Sequence, residues 1–218
     1  MMLRVAMGMM ALVVALFAAP TWADGARFEE GKHYQTLARA LDVDDPDKIE
    51  VREFFFYGCP ACYSVEPYVD AWQERAGNDV NLVRSPILFI RGAEPLARAF
   101  FTAEALGVLD EIHTPLFDGI HKHRDQRLFL EDGLREFFGK YGVSAADFDQ
   151  VFGSVGVTAQ MRAADTVARD SGLRGVPAFT VNGKYMVLRT NLRNDTETFQ
   201  VIDYLVNRER QARQRQGG

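Results

Sequence analysis

Cysteine is the scarcest resource in this chain: 218 residues hold two, with two tryptophans and four histidines. So few thiols exclude a disulfide-stapled scaffold, and they leave any four-ligand zinc site short of a second cysteine pair. Charge of one sign is scarce too. A formal net charge of -5, from 25 Lys and Arg against 30 Asp and Glu, supplies no basic surface for nucleic acid. Long apolar runs are absent beyond the first residues, so nothing after them reads as a membrane span. No internal repeat or low-complexity tract appears, and the basic ending "RERQARQRQGG" reads as a solvated helix end favoured by the helix dipole.

The one apolar run follows Arg4. "VAMGMMALVVALFAA" leads into Pro20 and the small-residue site "TWA", the pattern of a secretory signal peptide over residues 1–23 with cleavage after Ala23. An uncleaved anchor is the alternative, but the run is shorter than the ~20 residues of a span. The mature protein is therefore expected to be soluble, exported and held in an oxidising compartment. The remaining roughly 195 residues suffice for one full core, or a core carrying an inserted subdomain.

Both cysteines lie in "EFFFYGCPACYSVEPY", residues 53–68. "KIEVREFFF" reads as a strand running into a turn at Tyr57-Gly58. A helix is predicted from about Cys59, with proline in its first turn and an apolar stripe of Tyr63, Val65, Val69 and Trp72. Three residues of helix advance about 4.5 Å and rotate about 300°, which leaves Cys59 and Cys62 on adjacent turns of one face, within reach of a disulfide. A metal site is disfavoured: His33, His113, His121 and His123 are not spaced to complete it, and His121 and His123 read as surface residues of a helix. A structural brace is disfavoured because so short a loop constrains the unfolded chain little. Reaction remains. Free amides and the positive end of the helix dipole favour a thiolate at Cys59, making it the exposed nucleophile and leaving group, with Cys62 as its resolving partner. Pro60 and Ala61 fill the turn, and the amides of Ala61 and Cys62 are free to face the Cys59 sulfur. Pro67 should interrupt the helix.

Further on, "EPLARAFFTAEALG" has a helical stripe of Leu96, Phe100 and Ala103, and "SAADFDQVF" opens with a capping pair, Ser144 and Asp147. "GVPAFTVNGKYMV" reads as strand, Asn-Gly hairpin turn and strand, with Pro177 at the entrance.

With these segments assembled, the chain resembles the DsbA family of the thioredoxin superfamily. The likeness rests on "FEEGKHYQTL", "EFFFYGCPACY", "ALGVLDEIHTPLFDGIHK" and "LRGVPAFTVNGKY". It implies an α/β thioredoxin-like fold, a central mixed sheet flanked by helices, with residues 24–91 and 171–218 forming the sheet domain and 92–170 an inserted all-helical domain. It implies that Pro177 is a cis-proline beside the redox pair, with the backbone of Val176 offered to an extended substrate. Glu53 would be a buried acid beneath the disulfide, exchanging protons with Cys62. Glu66, one turn beyond Cys62, and Arg84, in the place of a family lysine, would support it, Arg84 poorly suited to proton transfer because its charge is fixed.

The function implied is periplasmic oxidation of exported proteins by dithiol–disulfide exchange. No cofactor beyond the Cys59–Cys62 disulfide is needed, and a quinone-linked membrane protein of the DsbB type would reoxidise a monomeric enzyme. Alanine at 61 replaces the histidine of the best-known member, so a weaker oxidant is expected. Two other readings stay open: a reductase or isomerase on the same fold, the isomerase disfavoured by the absence of an N-terminal dimerisation domain, and a non-catalytic exported chaperone or peptide-binding module.

Overall fold

The computed structural model describes residues 27–217; the expected signal segment, residues 1–23, lies outside them. β1 (Tyr34–Thr36), β2 (Ile49–Phe55), β3 (Val80–Pro86), β4 (Ala178–Val181) and β5 (Tyr185–Val187) form one sheet in the order β1-β5-β4-β2-β3. β2 and β3 are parallel and joined through α1 (Pro60–Arg75); the other pairings are antiparallel, which makes the sheet mixed. Between β3 and β4 the chain forms α2 (Ala93–Ala105), α3 (Leu109–His121), α4 (Glu131–Gly139), α5 (Ala145–Phe152) and α6 (Val155–Asp170), and it closes with α7 (Asp195–Gly217).

β2 lies between β4 and β3, so both of its edges are paired, and with helices packed on both faces all seven of its residues are buried. Alternate side chains divide between two cores. Ile49 and Val51 join Val65, Val69 and Trp72 of α1, Phe179 and Val181 of β4, and Phe199, Ile202 and Leu205 of α7. Phe54 belongs to the larger core, which continues through Leu96 and Phe100 of α2, Leu116 and Phe117 of α3, and Phe137, Phe138 and Phe148. Each such side chain contributes about 1.5–3 kcal/mol when fully buried. That outweighs local irregularities.

Pro67 is one of these. α1 runs through it without interruption, contrary to the expected break, because Val65, Glu66 and Val69 on either side are locked into buried positions. The Asn-Gly turn has the predicted form. Asn182 and Gly183 have φ of 50° and 62°, the left-handed pair that a tight hairpin needs, and a Cβ on Gly183 would strike the backbone carbonyl of Leu41. Ser144 caps α5 by accepting a hydrogen bond from the Asp147 amide at 3.1 Å.

The basic ending is not merely solvated. Arg210 pairs with Asp79 through two hydrogen bonds of 2.6 and 2.8 Å, and Arg213 donates to the carbonyls of Pro46, Asp47 and Lys48.

Candidate active site

Cys59 is the residue immediately before α1, in extended conformation at φ -90° and ψ 116°, and Pro60 is the first helical residue. Proline costs nothing there because its missing N–H would have had no helical partner. Gly58 brings the turn close to neighbouring rings: a Cβ on it would come within 2.5 Å of Phe56 and 3.2 Å of Phe129. Cys59 is half-buried, Cys62 is fully buried on the inner side of the first turn, and both are free thiols. Pro60 and Ala61 are exposed at the rim.

The two sulfurs have opposite acidities. Cys59 is lowered from 9.0 to about 6: a hydrogen bond from Cys62 does most, burial opposes it, and the Cys62 and Ala61 amides and the His121 charge assist. Burial pushes Cys62 far upward, reinforced by its bond to Cys59 and by the carboxyl of Glu53. One sulfur is thus suited to be a thiolate at neutral pH and the other to hold its proton.

The Val176–Pro177 peptide is cis, and the Val176 carbonyl accepts the Cys59 S–H at a sulfur–oxygen distance of 3.5 Å. This places the loop before β4 against the redox pair across 117 residues of sequence. Arg189 braces that loop by donating to the Pro177 carbonyl at 3.1 Å while pairing with Asp195.

Behind the cysteines lies a buried polar cluster. Glu53 on β2 stands opposite Arg84 of β3 and Phe179 of β4, and neither of its carboxyl oxygens has a hydrogen-bond partner. Arg84 Nε lies 3.8 Å from Glu53 Oε2, its Nη2 3.5 Å from Glu66 Oε2 and 2.8 Å from Asp70 Oδ1. Burial raises Glu53 well above the usual carboxyl range, with the Glu66 charge adding and Arg84 opposing. Glu66 goes the other way: burial resists its ionisation, but His113 and Arg84 outweigh that and lower it. The structure therefore brings together Cys59, Cys62, Val176, Pro177, Glu53, Glu66 and Arg84, with Pro60 and Ala61 at the mouth.

Three participants were not assigned to this site from the sequence. Tyr57, directly before Gly58, is fully buried with its hydroxyl 2.7 Å from His113 Nδ1; the other ring nitrogen of His113 is 3.3 Å from Glu66 Oε1. His121, expected at the surface, is instead partly buried: its Nε2 donates to the Tyr57 carbonyl at 2.7 Å and its ring stacks on Tyr63 at 4.8 Å. That correction has a simple cause. α3 ends at His121 against the cysteine turn, where only His123, beyond the helix, stays exposed. His113, Phe117 and His121 recur every four residues, a one-face signal available in the sequence.

A family profile described as a DSBA-like thioredoxin domain matches residues 90–200. The chain is 36% identical to the thiol:disulfide interchange protein DsbA of Azotobacter vinelandii, across 97% of its own length and 100% of that protein's. The chain belongs to the DsbA family. It is also 38% identical to the DsbA of Bordetella pertussis, covering 88% of each. The crystal structure of Pseudomonas aeruginosa DsbA superposes with a TM-score of 0.81 at 35% identity, covering 88% of this chain and 98% of that one. The DsbA profile begins after the cysteine pair, so the helices between β3 and β4 and the Pro177 loop carry that match, while the similarity to the Azotobacter protein spans 97% of the chain.

Proposed function

We propose that this thiol:disulfide oxidoreductase acts in the periplasm, oxidising pairs of thiols in exported proteins, with Cys59 as the sulfur that substrates attack. A substrate thiolate displaces Cys62 from the Cys59–Cys62 disulfide, and a mixed disulfide forms between substrate and Cys59. Cys62 leaves as a thiolate and takes a proton, for which the neutral carboxyl of Glu53 is the donor. A second substrate thiolate then attacks the substrate sulfur of the mixed disulfide, and Cys59 departs as a thiolate. Two thiols are oxidised and one disulfide is reduced, so the electrons stay on sulfur and no further cofactor enters.

The observation that carries this reading is the inequality of the two sulfurs. A half-buried thiol at about 6 is a good leaving group, and a buried partner that keeps its proton has little tendency to expel the substrate prematurely. The Val176 carbonyl beside Cys59 and the open strand entrance at Pro177 suit a substrate held briefly as an extended segment, with few demands on its sequence. Return to the disulfide would be driven by a quinone-linked membrane partner of the DsbB type.

Alanine at 61 supplies no charge, and a value of about 6 lies above the roughly 3.5 of the most acidic thiols in the superfamily, which supports a milder oxidant. The test is a reduced, unfolded disulfide protein offered to the oxidised enzyme, beside the same protein with scrambled disulfides. Fast oxidation of the first, lost in Cys59→Ser, is expected; activity on the scrambled substrate alone would mark an isomerase, and activity surviving Cys59→Ser would mark a chaperone.

A further inference from the structure

We propose that His113 is a positioning residue that decides where the buried proton resides, fixing Glu66 as the carboxylate and leaving Glu53 as the carboxylic acid. The proposal rests on the exchange reading of Cys59 and Cys62 and assigns the source of the proton which that exchange consumes.

The hydrogen-bond inventory leaves little freedom. The Tyr57 hydroxyl is fully buried and its O–H is directed at His113 Nδ1, 2.7 Å away. Burial, reinforced by the charge of Glu66, keeps this phenol protonated, so it donates and Nδ1 must accept. His113 is then the Nε2–H tautomer, and Nε2 lies 3.3 Å from Glu66 Oε1, a close polar contact rather than an aligned hydrogen bond. A ring with hydrogens on both nitrogens would leave the Tyr57 O–H with no acceptor, a cost of about 1–3 kcal/mol for a buried group. Tyr57 thus turns the N–H side of His113, not a lone pair, toward Glu66, whose other oxygen accepts from Arg84 Nη2 at 3.5 Å.

Glu53 has no such support. Both of its oxygens lack hydrogen-bond partners, whereas Glu66 lacks one on Oε1 alone, and the cation nearest to Glu53, Arg84 Nε, is 3.8 Å away, beyond hydrogen-bond distance. The same guanidinium is drawn toward Glu66 and Asp70. The groups facing the pair are Tyr57 and Cys62 from the cysteine turn and helix start, Asp70 on α1, Arg84 from β3, His113 from α3 and Arg189 ahead of α7. Two carboxylates sharing one guanidinium in a dry interior cannot both be ionised at low cost. The histidine breaks the tie. It reaches in from the helices between β3 and β4, so a segment outside the sheet sets the proton inventory beneath the cysteines.

The test uses the full chain with 13C in its glutamate carboxyls, titrated by NMR in both redox states. Glu53→Gln and Glu66→Gln assign the two signals. In the wild type Glu66 should ionise first and Glu53 last. In His113→Leu the two should converge, with the ionisation constant of Glu66 falling up to about tenfold through loss of the 3.3 Å polar contact. His113→Gln, whose amide can accept from Tyr57 and donate to Glu66, should restore the order. Unchanged carboxyl titrations in a folded His113→Leu protein overturn the proposal. If that variant does not fold, 15N spectra of wild-type His113 decide: an Nε2–H tautomer is required, and an Nδ1–H or doubly protonated ring refutes it. Failure of the wild-type enzyme to oxidise thiols would sink the exchange reading while leaving these titrations meaningful in themselves.

Discussion

Cys59 gains acidity from a short list of neighbours, and the side chains among them can be removed. Titrating the reduced protein by thiolate ultraviolet absorbance should show Cys59 ionising near 6. His121→Ala removes the weakest of those contributions and also the donor to the Tyr57 carbonyl two residues upstream. The midpoint should rise and the thiolate fraction at pH 6 fall below about one half, while a midpoint unmoved by the change would mean that His121 only packs. Glu53 carries the opposite sign. Its proton is held more tightly in the folded protein than in the unfolded chain, so native stability declines as pH rises above the ordinary value of 4.5. Glu53→Gln should therefore have an unchanged denaturation midpoint in acid and a higher one than wild type at neutral pH. Urea melts at the two pH values measure this.

Helices and strands position those residues, and here the sequence was informative to different degrees. β2, α1, the β4–β5 hairpin and α5 could be read from local rules: a Val- and Phe-rich run, proline in a first turn, Asn-Gly, and a serine cap. These signals span a few residues each, and their causes are steric or hydrogen-bonding constraints on the backbone. What escaped was set by packing between distant segments. Pro67 looks like a helix breaker until the contacts on either side of it are known, and His121 looks like a surface residue until α3 is laid against the cysteine turn. Tyr57 and His113 are 56 residues apart, and no periodicity announces that a phenol and an imidazole will meet. The hairpin offers a direct test of the local rules. Gly183→Ala forces a side chain into left-handed backbone at φ 62° and against the Leu41 carbonyl, so it should cost about 1–3 kcal/mol in denaturant unfolding with exchange chemistry intact in the folded fraction.

For the molecule as a whole, the redox state of two sulfurs should be legible in its stability. In the reduced form Cys59 is more acidic folded than unfolded, lowered from 9.0 to about 6. A depressed value adds stability that is complete above pH 9, shrinks as pH falls, and is gone below about 6. Cys62 is shifted upward and so matters only above its ordinary 9.0, which leaves the window from 6 to 9 to Cys59. The stability difference between reduced and oxidised protein should therefore tilt toward the reduced form as pH climbs through that window, as paired guanidinium unfolding curves would reveal. A flat difference would detach the acidity of Cys59 from the driving force of the reaction. The chemistry also depends on a remote fastening. Arg213 grips the carbonyls of 46–48 just before β2, and Arg210 grips Asp79 just before β3, so the last turns of α7 act as a buckle on the starting points of the two parallel strands. Because Glu53 faces Arg84 only when those strands start level, the alignment of the acid behind the cysteines is secured from the opposite end of the polypeptide.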